Sequence, residues 1–494
     1  MTLIARKVTQ NSFYILAGRI AALGFNMITI VVLARYWGKE TFGVFSYALV
    51  FVGFFALLPD FGMQPVLVRE ISKNRSRLDA VWSNALTIKV VFALIAFIAA
   101  NLYAGLAFDD PLLRSAILIL SLTLFVTTKS STVRVAFESV FYADMQIKYP
   151  VLFQLIDGVV QTAIVLLLVW LRADTVWILA CYVLANLPGL LATLVVFFRH
   201  NRISFSPDRK VLQWLMRESF PLALYLAMML VYDRLDVLFL QHFWGEEAVG
   251  LYSAAFRLTA PMAFIPFAIT TTIYPLLARG NQAGSPDLDQ LFGLGLKILL
   301  LIGISIGMVS TLFAPLLINL LYGADFAASG RPFEILIWSQ SVFFLAFFLI
   351  DYNNSQQRQR RNTLYILLML VIGFVVQHGL ISRFMIEGAA WAKLLLNTLG
   401  VFLLAALTWK SLSGRQHRAF MKIVLFLLAF IGIEMIHLLG WIGPLAALVG
   451  FLALALAINR MLFDPVEKQQ IGQAFRAMLS RRQRERKESI SSDG

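Results

Sequence analysis

A small set of ionisable residues interrupts otherwise apolar stretches, and it is here that the chain could do chemistry: Arg19, Lys89, Lys129, Arg134, Asp157, Asp233, Arg234, Asp236, Arg257, Lys297, Lys393 and Glu434. A charge at the middle of a membrane span costs about 2.5–3.5 kcal/mol on insertion scales, so each must face protein or water and not lipid. The densest group is Asp233-Arg234-Leu235-Asp236. At about 1.5 Å per residue Asp236 lies roughly 12 Å from the end of its helix, and Arg257 on the returning helix lies at about the same depth. A cross-helix contact between Asp236 and Arg257 is therefore expected.

Arg19, Lys89, Arg234 and Arg257 lie deepest, roughly 10 Å or more from the nearer span end at 1.5 Å per residue, and are expected to line a wet cavity. Guanidinium forks in a low-dielectric cavity suit an anionic guest with phosphate oxygens, a diphosphate above all. Asp233 and Asp236, three apart on one helical face, fit two roles: neutralising Arg234 or Arg257, or coupling to H+ or Na+. Lys129, Arg134, Lys297 and Lys393 stand nearer span ends, where snorkelling to the interface explains them as well as function does.

Other chemistries find no support. Cys181 is the only cysteine, so there is no disulfide framework or thiolate metal site, and His200, His242, His378, His417 and His437 are dispersed. Asp233-x-x-Asp236 has no further convergent ligands, so no metal is expected. Gly303-Ile-Ser-Ile-Gly307 matches a hydrolase nucleophile pattern, but it lies in an apolar helix, not at a strand-to-helix turn, and is better read as G-x-x-x-G helix packing. No catalytic residue and no cofactor are expected.

The elements that position these charges follow from composition. With 494 residues, 59% hydrophobic and 14% charged, and a mean hydropathy of +0.77, the chain reads as an all-α polytopic membrane protein. About fourteen spans are predicted: 12–36, 41–60, 80–105, 112–134, 149–171, 175–198, 219–244, 249–278, 291–313, 332–351, 363–382, 387–409, 420–440 and 442–463. The +14 formal charge is concentrated in loops on the side of the N-terminus. That pattern places both termini in the cytoplasm and argues topology, not a nucleic-acid partner. No cleavable signal precedes the first span.

Residues 33–48 (LARYWGKETFGVFSYA) align without a gap on residues 240–255 (LQHFWGEEAVGLYSAA), and Ser12-Phe13 falls on Ser219-Phe220 in the same register. An even number of spans separates the two starts, so both halves enter from the same side. Parallel repeats related by an axis along the membrane normal place a substrate route between them. The expected organisation is a six-helix lobe (1–198), a basic interfacial helix starting near Ser206-Pro207 (199–217), a second six-helix lobe (218–411), two extra spans (412–463) and a basic cytoplasmic tail (464–494).

At this point the chain resembles the Wzx-type polysaccharide and O-antigen flippases of the multidrug/oligosaccharidyl-lipid/polysaccharide exporter superfamily. The resemblance rests on Leu33-Ala34-Arg35-Tyr36-Trp37-Gly38 with Gly43-Val44-Phe45-Ser46, on Gly62-Met63-Gln64-Pro65 with Val68-Arg69-Glu70, and on Asp233 with Gly250 to Arg257. It continues through Leu321-Tyr322-Gly323 before Phe326 and Gly388-Ala389-Ala390-Trp391-Ala392. It implies a V-shaped transporter that moves undecaprenyl-diphosphate-linked oligosaccharide across a bacterial inner membrane by alternating access. The cationic lumen would correspond to Arg19, Lys89, Arg234 and Arg257. Implied partners are that lipid-linked glycan, membrane lipids, and a polysaccharide polymerase and co-polymerase. The alternatives are a multidrug exporter of the same superfamily, whose lipophilic cations call for an acidic lumen, and a membrane polymerase or glycosyltransferase, for which the outer loops are too short.

Overall fold

The computed structural model describes residues 3–127, 133–279, 286–438 and 440–461. Every regular element in them is helical. The helices are α1 (Leu3–Asp60), α2 (Met63–Lys73), α3 (Leu78–Ala107), α4 (Pro111–Ser121), α5 (Thr123–Val126), α6 (Val133–Ala143), α7 (Lys148–Trp170), α8 (Thr175–Leu184) and α9 (Leu187–His200). They continue as α10 (Arg209–Thr259), α11 (Phe264–Arg279), α12 (Pro286–Tyr322), α13 (Gly330–Ser355), α14 (Gln359–Trp409), α15 (Gly414–Leu438) and α16 (Pro444–Met461). Eight helical stretches among the described residues are long and apolar enough to cross a membrane, so the chain is a multi-pass membrane protein. Two of the eight, Ile20–Lys73 and Gln359–Trp409, are each long enough to cross twice. The predicted tail and Lys129 lie outside the described residues.

The long helices bend where the sequence lets them. α1 breaks at Gly38 (φ 70°, ψ −179°) and α10 at Gly245 (φ 75°, ψ −167°), the glycines that the repeat alignment places on one another. Neither conformation is accessible to a residue with a Cβ without strain, so W-G fixes the corner between two spans in each half. α14 breaks at Phe384 and Met385. α10 begins at Arg209, with the Asp208 carboxylate accepting from Lys210 N at 2.7 Å, and runs without interruption into the predicted span at 219. Residues 201–208 are non-helical, so the helix starts after Ser206-Pro207.

The described residues divide into two compact units. The first comprises the chain up to Ala263 with Ala314–Ser339 and Asn362–Gly400; the second comprises Phe264–Phe313, Gln340–Arg361 and Val401 onward. In the first unit an aromatic core forms where amphipathic α2 lays Met63, Val66, Leu67 and Ile71 against Trp82, Phe137, Phe141 and Phe197. Trp82 stacks on Phe197 with ring centroids 5.2 Å apart, and Phe137 meets Phe197 edge-on at 5.0 Å.

The repeat is realised as a reciprocal contact inside this unit. A Cβ on Gly43 would overlap the carbonyl oxygen of Glu246, and a Cβ on Gly250 would overlap the carbonyl oxygen of Lys39. In the repeat register Gly43 corresponds to Gly250 and Lys39 to Glu246, so each half offers the same glycine to the same carbonyl of the other. α1 and α10 thereby meet backbone to backbone, as small residues permit in membranes. The Lys39 ammonium reaches Glu247 Oε1 at 2.6 Å beside this contact.

In the second unit, Ser341 Oγ donates to the carbonyl of Gly303 at 2.8 Å, and a Cβ on Gly303 would press on Ser341. Gly303 thus serves helix packing. Thr311 donates to the buried carboxylate of Glu434 at 2.9 Å, joining α12 to α15.

Candidate functional site

Two of the charges in the middle of α10, Asp233 and Asp236, meet Lys393 of α14, and a third, Arg234, pairs with Asp233. The Lys393 ammonium donates to the main-chain oxygen of Asp233 at 2.6 Å and lies 3.4 Å from both Asp233 Oδ1 and Asp236 Oδ2. Asp236 is 1% exposed, and its Oδ2 accepts from the hydroxyl of fully buried Tyr252 at 2.6 Å. Arg234 Nε pairs with Asp233 Oδ2 at 3.1 Å, and its guanidinium lies over the Phe256 ring at 4.7 Å from the centroid. The Arg234 and Asp233 side chains are 33% and 50% exposed, so this end of the group opens to free space.

The expected Asp236–Arg257 contact is replaced. Asp236 turns to Tyr252 and Lys393, while Arg257 lies over Phe42 (5.7 Å) and Phe45 (5.5 Å), with Ser46 Oγ at 3.5 Å. Its guanidinium has no carboxylate within ion-pair distance among the described residues. Position along a helix does not fix the direction in which a side chain points around it. Aromatic faces hold a guanidinium through their quadrupoles without cancelling its charge. Two carboxylates against Arg234, Lys393 and Arg257 leave the group one positive charge in surplus, and Arg257 carries it. The supporting rings come from the first repeat and the cation from the second.

The remaining predicted residues take different partners. Lys89 is 0% exposed and donates to the Pro59 carbonyl at 2.9 Å, securing the end of α1. Arg19 stands on α1, and its side chain lies outside the described residues. Of the four residues for which snorkelling and function stood level, Arg134, Lys297 and Lys393 are buried and Lys129 lies outside the described residues. Lys393 is 7% exposed and serves the aspartates. Arg134 is 0% exposed and pairs with Glu138 at 3.1 Å and Asp157 at 2.5 Å, whose other oxygen accepts from Gly189 N at 2.8 Å.

Tyr252 is the member of the site that sequence reasoning missed, and Lys393 is the one it left open between snorkelling and function. Lys393 follows directly on Gly388-Ala389-Ala390-Trp391-Ala392, a run of small residues that brings a helix close to a neighbour and is a poor place for a cation to reach lipid headgroups. The motifs that carried the resemblance lie mainly at structural joints. Arg35 donates to the Leu321 carbonyl at 2.6 Å and to that of Leu320, capping the end of α12 where Gly323 turns the chain. Phe42 meets Phe326 edge-on at 5.9 Å, and Arg69 pairs with Glu218 at 2.7 Å.

A family model described as polysaccharide biosynthesis protein matches residues 8–281, and one described as MatE matches residues 221–378. No curated protein matches the chain. Among solved structures, the lipid II flippase MurJ in an inward closed conformation is similar with a TM-score of 0.69 and 12% identity, covering 92% of this chain and 99% of that one. An inward-facing multidrug resistance MATE transporter of the MOP superfamily gives 0.63 and 14%, covering 79% and 96%. A Pyrococcus furiosus MOP transporter described by a reversed polarity of its binding pocket gives 0.56 and 12%, covering 84% and 95%. These neighbours are transporters and flippases, not enzymes, and at such identities they show the fold.

Proposed function

We propose, since the chain belongs to the polysaccharide biosynthesis protein family, that it is a flippase for undecaprenyl-diphosphate-linked oligosaccharide units. It moves them from the cytoplasmic to the periplasmic leaflet of a bacterial inner membrane for assembly of surface polysaccharide. The observation that carries this reading is the surplus cation, Arg257, held between aromatic faces and free of any carboxylate partner among the described residues. A guanidinium so placed keeps its donors for an anionic guest, and its fork matches phosphate oxygens. The diphosphate engages Arg257 with Arg234 beside it, the polyprenyl tail stays in lipid, and the two repeats exchange openings around the site. Both termini are cytoplasmic in this reading, and a polymerase and co-polymerase receive the product. A lipophilic cation would meet a net positive group, which disfavours the multidrug reading.

Transport in proteoliposomes tests it, with labelled polyprenyl-diphosphate-oligosaccharide and a lipophilic cationic dye offered side by side. Losing a charge-assisted hydrogen bond of about 1.5–3 kcal/mol, Arg257→Ala should cut movement of the lipid-linked sugar roughly ten- to a hundredfold. Dye movement alone, indifferent to Arg257, would return the protein to the multidrug reading.

Asp233 and Asp236 act in this reading as counter-charges, because the Lys393 ammonium already occupies the position that an H+ or Na+ would take. Asp236→Asn should keep the dependence of transport, if any, on an imposed H+ or Na+ gradient. Abolition of that dependence, with residual transport intact, would assign Asp236 to ion coupling instead.

A further inference from the structure

We infer that the segment joining the two repeats, from Phe198 to Lys210, is a docking surface for the headgroups of anionic phospholipids. This surface is separate from the candidate site: Lys210 precedes Asp236 by 26 residues on α10, roughly 39 Å along the helix axis. The inference holds whatever guest the protein carries.

Four cations are concentrated here. Arg199, Arg202, Arg209 and Lys210 are all exposed, and none has a carboxylate within ion-pair distance among the described residues. Asp208 is the only acidic residue in the segment, and it caps α10 by accepting from Lys210 N at 2.7 Å, so three positive charges are in surplus. Carboxylates of neighbouring elements are engaged elsewhere: Asp144 with Arg75 at 2.7 Å and Glu218 with Arg69 at 2.7 Å. Arg209 and Lys210 also occupy the first turn of α10, where the helix dipole disfavours positive charge. Local helix energetics do not account for them, and an anion outside the chain does.

The cations stand on a prearranged apolar support. Leu191, Val195 and Phe198 are 58%, 49% and 56% exposed, and their spacing of four and three places them in one stripe of α9 that ends at Arg199. Beyond it the chain runs as a strap along α3. Backbone N–H groups of Ser204, Ser206 and Asp208 donate to Asp79 Oδ2 at 3.4 Å, Ser83 Oγ at 3.1 Å and Asn84 Oδ1 at 3.2 Å. Ile203 packs on the aromatic core while Phe205 is 59% exposed. A surface held in this way loses little freedom on binding.

Both features must be answered by one partner. A free phosphate would meet the cations and leave the stripe and Phe205 uncovered; a zwitterionic lipid would cover the stripe and leave the charge surplus unanswered. An anionic phospholipid does both, with acyl chains along Leu191, Val195 and Phe198 and its phosphate among the arginines.

Photoreactive phosphatidylglycerol and phosphatidylcholine, each carrying a diazirine on an acyl chain, test this with the full-length protein in vesicles of phosphatidylcholine, the labelled peptides being mapped. The expected result is labelling of residues 191–210 by the phosphatidylglycerol probe roughly tenfold above the phosphatidylcholine probe. That preference should vanish when Arg199→Gln, Arg202→Gln, Arg209→Gln and Lys210→Gln are combined. It should vanish equally in the unaltered protein at about 1 M salt, where the screening length falls to about 3 Å, so the outcome does not hang on the folding of the variant. Equal labelling by the two probes overturns the inference, as does a preference that survives either treatment. Labelling displaced by undecaprenyl-diphosphate-oligosaccharide but not by a large excess of phosphatidylglycerol assigns the surface to that compound and likewise overturns it.

Discussion

Lys393→Met should destabilise the protein by about 3–5 kcal/mol, the usual cost of removing one partner from a buried ion pair. The lysine is 7% exposed and Asp236 1% exposed, so water cannot take the place of the missing ammonium. Asp236 would keep Tyr252, which donates one hydrogen bond at 2.6 Å but brings no charge. Asp233 would keep Arg234 and, being half exposed, would suffer less. The loss is therefore assigned to Asp236, and a second substitution separates the terms. In Lys393→Met with Asp236→Asn, a neutral amide still accepts from Tyr252 and no uncompensated charge remains. The double variant should recover most of the lost stability, a coupling far outside the few tenths of a kcal/mol found for independent sites. Thermal or denaturant unfolding in detergent measures both. If Lys393→Met unfolds within about 0.5 kcal/mol of the parent, a value typical of surface positions, the ammonium is not holding the aspartates.

Gly43→Ala should separate the helix ends at the repeat contact and cut transport by a large factor. The added Cβ would overlap the Glu246 carbonyl oxygen, a backbone atom that no rotamer change can move. Overpacking of this kind costs about 1–3 kcal/mol, so the population with the α1 and α10 corners together should fall roughly five- to 150-fold relative to states with them apart. Gly250→Ala should do the same, because the contact is reciprocal and the Lys39 carbonyl stands where the Glu246 carbonyl stands for Gly43. The readout is cross-linking by a short bifunctional thiol reagent between Lys39→Cys and Glu247→Cys, whose native side chains meet at 2.6 Å, in a chain whose sole native cysteine, Cys181, has been replaced by alanine. Efficient cross-linking is expected in the parent and its loss in either glycine variant. Equal cross-linking in Gly43→Ala would mean that the close approach is not required.

Much of this molecule was settled by the order of its residues. Apolar runs of bilayer length allow only helices, because the hydrocarbon core offers backbone groups no other partners. The W-G-x-E-x-x-G repeat marks two corners. In each, a glycine takes a backbone conformation barred to other residues, and a second glycine five positions on admits a neighbouring backbone. The depth of a charge along a helix is likewise arithmetic, which is why Asp233, Arg234, Asp236 and Arg257 stood out as unable to face lipid.

Partnership is what only the tertiary structure decided. Depth leaves a helix free to rotate about its axis, and a rotation of one residue turns a side chain by about 100°; Asp236 therefore met Tyr252 and Lys393 instead of Arg257. Lys393 and Arg134, close enough to span ends to reach the headgroups, were instead buried, because neighbouring helices cover that route and supply carboxylates. Whether a long cationic side chain snorkels or pairs depends on what stands beside it. Apart from Glu138, one turn from Arg134 on the same helix, other helices supply those neighbours, and no local pattern encodes them.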